Sequence, residues 1–212
     1  MPTRIARSRL QPRKMPVQPR SAHTVDSIVE AAARILETRG LAAFNTNAVA
    51  ARAGLSVGSL YQYFPGKDAL IVALSRRERA LLAAEIAAAT AGTASLPLET
   101  ALRRLVRAAL RRQLARPALA RILDFEEQRL GLEPEDAAAS GGIAAALGSV
   151  LLQHRRRLRR LRLDEAVPDL MAMTRALIDG AAARGAIDAR RLEERIVRAA
   201  LGYLGGRANV AP

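Results

Sequence analysis

Residues 46–65, which read TNAVAARAGLSVGSLYQYFP, constrain the fold of this chain more than any other segment. Two short helices that cross steeply need a small residue where they touch, and Ala50 supplies it. Four residues later, Gly54 can adopt the left-handed backbone conformation that reverses the chain. Ser56 then stands where an N-cap must satisfy free backbone N–H groups. The segment therefore predicts a helix-turn-helix, and the alternative is an ordinary helical hairpin. The two helices are expected at about 46–53 and 57–64, around an apolar seam of Val49, Ala53, Leu55 and Leu60.

Apolar residues recur with the period of an amphipathic helix along most of the chain, and no segment alternates in the manner of a strand. The first stripe runs from Val25 to Leu36 and ends before Gly40. Ala, Leu and Arg favour helices, whereas aromatic residues make up only 3% of the chain. We therefore predict an all-α protein of about nine helices. The later helices are expected from Lys67 to near Gly92, from Leu98, from Pro117, over 134–160, over 166–184 and over 189–205, the last with Asp188 as its N-cap.

The chain has a large excess of positive charge. Its 34 Lys and Arg residues exceed its 20 Asp and Glu residues and give a formal net charge of +14. Such an excess favours an anionic partner, either nucleic acid or an anionic membrane surface. Residues 1–67 carry ten basic and three acidic residues, and hence half of the excess. Residues 1–20 are predicted to form a disordered basic arm, from which an arginine could enter a DNA minor groove.

Residues that many catalytic and metal sites require are scarce. The chain has no cysteine and only two histidines, His23 and His154, which excludes disulfides, a thiol nucleophile and a metal cage of Cys or His ligands. No paired carboxylates, nucleophile–base set or phosphate-binding loop stands out. We therefore expect no enzyme activity, no cofactor and no metal. No apolar run has the length of a signal peptide or a membrane span, which predicts a cytoplasmic location.

The stretch from Thr24 to Leu74 resembles the N-terminal domain of TetR-family transcriptional regulators. The similarity is closest over AARAGLSVGSLYQYFPGKDAL, which is close to the signature of that family without a gap. The resemblance implies a three-helix DNA-binding domain at 21–68, followed by a helical effector-binding and dimerisation domain at 69–212. It also implies the function of a sequence-specific transcriptional regulator that binds double-stranded DNA at a palindromic operator. Repression relieved by a small-molecule effector is the usual mode of the family, and activation is the alternative.

The resemblance assigns DNA contacts to single residues. The second helix of the motif would enter the major groove, where Gly58 would let the backbone approach the DNA closely. Gln62 would pair with an adenine edge, and Val57 would touch a thymine methyl group. The remaining contacts are expected to be mainly with phosphates. The full set of predicted DNA-binding residues is Asn45, Thr46, Ser56, Val57, Gly58, Ser59, Tyr61, Gln62, Tyr63 and Lys67. In the alternative interpretation, Tyr61, Tyr63 and Phe64 pack in the core, which we expect for Phe64.

The second domain is expected to bind the effector inside its helical bundle and to form a homodimer through residues 166–205. Small residues at 180–182 would permit close helix approach. The last helix has an apolar face that would be exposed on a monomer, unless it packs on its own domain. That face consists of Leu192, Ile196, Val197, Ala200, Leu201 and Leu204. The candidate effector contacts are Phe125, Asp124, Gln128 and His154. In the alternative interpretation, these side chains lie on helix surfaces or between helices and do not contact an effector.

Three further functions compete with that of a ligand-responsive repressor. An architectural protein would coat DNA without sequence preference, but the ordered motif that carries Ser59, Tyr61 and Gln62 argues against it. A helical enzyme would need a catalytic set that the sequence does not display. A membrane-surface role for the arginine-rich helices would require binding to anionic vesicles. Preference for a single palindromic DNA sequence separates the regulator from the architectural protein.

Overall fold

The computed structural model describes residues 19–132, 138–158, 161–185 and 188–205, with side chains in all of these except 19, 20 and 138–141. Every regular element within these ranges is helical, which confirms the predicted all-α class. Two short 3₁₀ turns, Leu41–Ala43 and Thr93–Ser95, lie between longer helices. The nine α-helices of the described residues are α1 (Pro19–Arg39), α2 (Thr46–Ala53), α3 (Val57–Tyr63), α4 (Lys67–Thr90), α5 (Leu98–Ala115), α6 (Pro117–Leu130), α7 (Ala138–Gln153), α8 (Leu163–Ala183) and α9 (Ala189–Gly205).

Several helix ends differ from the sequence prediction. The first helix already begins at Pro19, because proline has the backbone angle of a first helical turn and no N–H that needs a partner. Residues 1–18 of the predicted basic arm lie outside the described residues. The helix predicted over 134–160 is shorter, since α7 ends at Gln153 and the chain then turns through the exposed residues 155–157, all arginines. Residues 134–137 and 159–160 of the predicted helix lie outside the residues that the structure describes.

The described residues form two compact units that divide within α4, between Ala80 and Leu81. The N-terminal unit contains the described residues up to Ala80 together with 116–132. The C-terminal unit contains residues 81–115 and the described residues from 138 onward. The sequence prediction assigned everything after residue 68 to one domain. In the structure, the start of α4 and the whole of α6 instead pack with α1–α3.

The N-terminal unit has one continuous apolar core built on α1. Ile28, Ile35 and Leu36 of α1 are buried in a cluster that also contains Leu60 of α3 and Leu70 of α4, and α1 packs directly on α2 and α6. Leu119 and Leu123 of α6 complete this core and are 1% and 5% exposed. Burial of these two leucines is the physical reason why α6 belongs to this unit, because each buried leucine side chain contributes about 2 kcal/mol.

Ion pairs join α6 and the turn before it to α1 and α4. Arg116, between α5 and α6, binds Glu37 of α1 through two hydrogen bonds, of which the Nη2–Oε2 distance is 2.7 Å. Arg129 of α6 lies 2.6 Å from the Asp68 carboxylate of α4, and Arg79 of α4 binds the buried Glu127 of α6. These contacts fix the position of α6 in addition to its apolar packing.

In the C-terminal unit, α5 packs against α7 and α9, and α8 packs against the same two helices. The predicted apolar face of α9 is real, but it is buried within the chain: Leu192, Ile196 and Val197 are at most 2% exposed. They pack against Val106 and Leu110 of α5 and against α8. The prediction that this face forms the surface between two subunits is therefore wrong, and the alternative of packing on its own domain is correct. Asp188 caps α9 as predicted, since its carboxylate accepts a bond from the Arg191 N–H at 3.0 Å. None of the described helices is long and apolar enough to cross a membrane.

Candidate nucleic-acid interface

Caps and one glycine fix the backbone of α2, the turn and α3. The Asn45 side chain accepts a hydrogen bond from the Ala48 N–H at 2.9 Å and caps α2. Gly54 has φ 71° and ψ 30°, the left-handed conformation that ends α2. Ser56 caps α3 by accepting a bond from the Ser59 N–H at 3.0 Å. The helix-turn-helix and the predicted roles of Gly54 and Ser56 are confirmed, and Asn45 caps α2.

The inner side of the motif holds α3 against the core. Val49, Ala50, Leu60 and Phe64 are fully or almost fully buried, and Ala53 and Leu55 pack against them with partial burial. This arrangement confirms the predicted seam, the small residue at the helix contact and the placement of Phe64 in the core. It also leaves α3 one face directed away from the core, since residues Leu60 and Phe64 occupy the other.

The outer side of α3 is polar and accessible. Gly58, Tyr61 and Gln62 are exposed, with 41% of the Tyr61 surface accessible. Val57 and Tyr63 are half-buried and pack against the core, so each offers only part of its side chain. The predicted recognition residues therefore fall into an exposed group and a half-buried group, and the second contributes to packing as well.

One side-chain contact joins α3 to the start of α2. The hydroxyl groups of Thr46 and Tyr61 lie 3.2 Å apart. A second contact, of 2.8 Å, joins the hydroxyls of Ser56 and Ser59. The first contact joins the start of α2 to the exposed side chain of Tyr61 on α3.

The charge of this surface suits an anion. Residues 41–67 contain no acidic residue, while Arg52 on α2 and Lys67 at the start of α4 are exposed. On the neighbouring α1, Glu30 and Glu37 are paired with Arg77 and Arg116. The hydrogen bond from Arg116 lowers the pKa of Glu37 and compensates the charge of this carboxylate. The charges of Glu30 and Glu37 are therefore compensated, whereas Asp26 of the same helix is exposed.

The four candidate effector residues do not form one cluster in either unit. Asp124, Phe125 and Gln128 lie on α6 in the N-terminal unit, and His154 follows α7 in the C-terminal unit. Phe125 is 61% exposed. Groups of three or more His, Asp or Glu side chains that could hold a metal ion are absent from the described residues.

Sequence reasoning missed the residues that tie α6 to the motif's unit, above all Arg116 and its partner Glu37. They stand 79 positions apart in the chain, and nothing in the sequence pairs one arginine among 32 with a particular glutamate. The only available signal was Pro117, which marks a helix start after Arg116.

Two protein-family models match this chain. Residues 28–74 match a model described as bacterial regulatory proteins of the tetR family. Residues 97–204, which are half of the chain, match a model described as a tetracyclin repressor-like C-terminal domain. The sequence matches no curated protein significantly.

Solved structures share the fold over nearly the whole chain. The fatty acid degradation regulator FadR from Bacillus halodurans is similar at a TM-score of 0.71 and 18% identity, over 92% of this chain and 99% of that one. A TetR family transcription regulator from Marinobacter aquaeolei VT8 reaches a TM-score of 0.63 at 20% identity, over 85% and 95%. The TetR-like regulator LfrR from Mycobacterium smegmatis, in complex with proflavine, reaches 0.57 at 26% identity, over 89% and 99%.

Proposed function

Because the chain belongs to the TetR family of transcriptional regulators, we propose that it is a homodimeric repressor that a small-molecule effector releases from a palindromic operator. The observation that carries the DNA-binding part is the outer face of α3. It exposes Gly58, Tyr61 and Gln62, while Leu60 and Phe64 anchor the same helix in the core. A recognition helix needs this combination of a rigid inner face and an accessible polar outer face.

Each part of the surface has its own role in the proposal. Gln62 reads an adenine edge, because its amide can donate and accept hydrogen bonds simultaneously. Tyr61, Thr46 and Lys67 bind phosphates and set the register without reading sequence. Binding involves no catalysis and no cofactor, and it takes place in the cytoplasm.

Release requires that the effector change the spacing of two recognition helices. In a dimer they must fit successive major grooves about 34 Å apart. An effector that binds better to a conformation with another spacing shifts the population away from the operator-bound form. Helix α4 starts at Lys67 next to α3 and extends to Thr90, so a shift of α4 is the proposed movement. The proflavine complex of LfrR supports a small-molecule ligand in this fold.

Selection of bound sequences from a random DNA pool tests the proposal. The purified wild type is expected to enrich one inverted repeat. A Gln62→Ala variant should lose preference at one symmetric pair of positions, with a loss of about 1–3 kcal/mol in discrimination. Gln153→Ala is the matched control, because Gln153 is an exposed glutamine at the end of α7, and it should select the wild-type sequence.

Enrichment of nothing beyond base composition, unchanged in Gln62→Ala, would contradict sequence-specific recognition. That result would favour the architectural DNA-binding function instead. An inverted repeat that is identical for the wild type and Gln62→Ala would retain the regulator but remove Gln62 from its base-reading role.

A further inference from the structure

A groove of about 570 Å³ lies between the C-terminal half of α5 and the start of α9. Its volume falls within the range of small-molecule sites, about 300–1,000 Å³. The half-buried Leu114 of α5 and the exposed Ala115 and Ala189 give it an apolar floor, and Leu110 lies buried beneath, one turn before Leu114. All the residues that form it belong to the C-terminal unit, whereas the candidate DNA contacts belong to the N-terminal unit.

Three arginines surround this floor, and one carboxylate lies beneath them. Arg107 and Arg111 extend from α5, and Arg190 extends from α9. Glu193 is buried, and both of its oxygens accept hydrogen bonds from Arg107 at 2.9 Å. Arg103 adds a third bond to Glu193 at 3.3 Å. The negative charge of Glu193 is therefore compensated twice, and it holds Arg107 at the edge of the groove.

The remaining positive charge faces solvent. Arg111 is exposed and forms no ion pair with any side chain that the structure describes. Among the described residues, Arg190 pairs with Glu194 through an exposed contact of 3.5 Å, which contributes little in water. Uncompensated guanidinium groups beside an aliphatic floor are complementary to a ligand with an anionic head and an aliphatic body.

We infer that the groove between α5 and α9 binds a small aliphatic molecule with a carboxylate or phosphate head group. The head lies against Arg111, and the aliphatic chain covers Leu114 and the neighbouring Ala115. That this ligand is also the effector rests on the function proposed above.

Calorimetric titration of the full chain without DNA tests the binding site. The probes are octanoate and octyl phosphate, with octylamine and 1-octanol as matched molecules that lack the negative charge. We expect both anions to bind once per chain and octylamine not to bind. From butyrate to octanoate the affinity should rise about fourfold per added methylene while the chain still contacts the floor, since each buried methylene contributes a fixed amount.

Variants locate the site. Arg111→Gln should weaken octanoate binding about tenfold, the effect of losing one charge-assisted hydrogen bond. The single variant Leu114→Gln should also weaken octanoate binding, and by a larger factor. Arg104→Gln is the control, because Arg104 is an exposed arginine of α5 outside the groove. It should bind octanoate as the wild type does, and thermal unfolding should show that all three variants fold.

A folded wild type that binds neither anion at millimolar concentration, or binds 1-octanol equally well, would overturn the inference. Equal octanoate binding by Arg111→Gln and Arg104→Gln would also overturn it.

A second measurement separates the site from the effector role. Octanoate should release the protein from the operator found by selection, and Arg111→Gln should require about ten times more octanoate for release. Binding that leaves the operator complex intact would overturn the role of the groove as the effector site. Absence of any preferred DNA sequence would instead contradict the proposed function, and the titrations without DNA would still decide whether the groove binds these anions.

Discussion

Gly54 and Gly58 of the helix-turn-helix meet different requirements for glycine. At Gly54 the backbone has φ 71°, a conformation that other residues rarely adopt, so the fold itself requires glycine. At Gly58, in the first turn of α3, the backbone is helical, and an added Cβ would meet only the Ser56 Oγ at 3.8 Å, an ordinary contact. The fold therefore tolerates a side chain at position 58. A DNA backbone that lies close to α3 would clash with that side chain.

The Gly58→Ala variant separates these requirements. We expect its stability to be unchanged or higher by up to about 1 kcal/mol, because alanine favours the helix. Its affinity for the selected operator should fall at least about tenfold, a difference of roughly 1.4 kcal/mol. Thermal unfolding and fluorescence anisotropy with labelled operator measure the two effects.

Gly54→Ala provides the contrast, since it should lose about 1 kcal/mol or more of stability through strain at positive φ. If Gly58→Ala kept wild-type operator affinity, the close approach of DNA to this part of α3 would be ruled out.

Among the elements, α6 has the least expected position. It follows α5 in the chain, yet its leucines and its ion pairs lie in the unit of the DNA-binding motif. Arg116 is the residue that precedes α6. Its guanidinium lies within 3.5 Å of the carboxylates of Glu30 and Glu78, in addition to its hydrogen bonds to Glu37. These contacts of Arg116 with α1 and α4 fix the position at which α6 begins.

Glu37→Gln should destabilise the protein by about 1–2 kcal/mol at pH 7, because it removes charged hydrogen bonds from Arg116. The sign of the pH dependence follows from the pKa of Glu37, which the Arg116 hydrogen bond lowers in the folded state. A group with a lowered pKa stabilises the fold above its unfolded pKa and loses this effect as the pH falls through the folded value. The difference between wild type and variant should thus be constant near neutrality and shrink below about pH 5.

Urea unfolding at several pH values from neutral to acidic measures this difference. Glu194→Gln is the matched control, because its exposed pair with Arg190 contributes little. A Glu37→Gln variant as stable as Glu194→Gln at neutral pH would show that the Arg116 contacts do not stabilise α6.

At the scale of the whole molecule, the proposed homodimer needs a surface other than the apolar face of α9, which the chain buries itself. Within the predicted range 166–205, α8 exposes small side chains at Ala172, Ala176 and Ala183. These residues follow one another at nearly helical spacing, and small side chains let two helices approach closely. We therefore expect α8 to carry the centre of the dimer interface.

The Ala176→Glu variant should be monomeric at micromolar concentration, because a buried, unpaired carboxylate is costly in a helix interface. A monomer reads only one half-site, so its operator affinity should fall at least about a hundredfold. Analytical ultracentrifugation and operator titration measure both quantities.

Ala88→Glu is the control, since Ala88 is an exposed alanine on α4 outside the predicted interface, and it should remain dimeric. A dimeric Ala176→Glu variant with wild-type operator affinity would exclude Ala176 from the interface.

The motif could be predicted from the sequence because its determinants are local. Asn45, Gly54 and Ser56 act within three or four residues of themselves, through caps and a single backbone conformation. The burial of Leu60 and Phe64 likewise follows from helical periodicity over a few residues. The sequence by itself therefore determined the helical class, the motif and the face of α3 that is exposed.

Only the tertiary structure decided which helices share a core. The apolar stripes of α6 and α9 look alike in the sequence, and an apolar stripe specifies burial without specifying a partner. Leu119 packs with α1, and Ile196 packs with α5, because the chain path brings these helices together. The pairing of Arg116 with Glu37 and the groove beside Arg111 arise in the same way, from residues distant in sequence that the packing of helices places side by side.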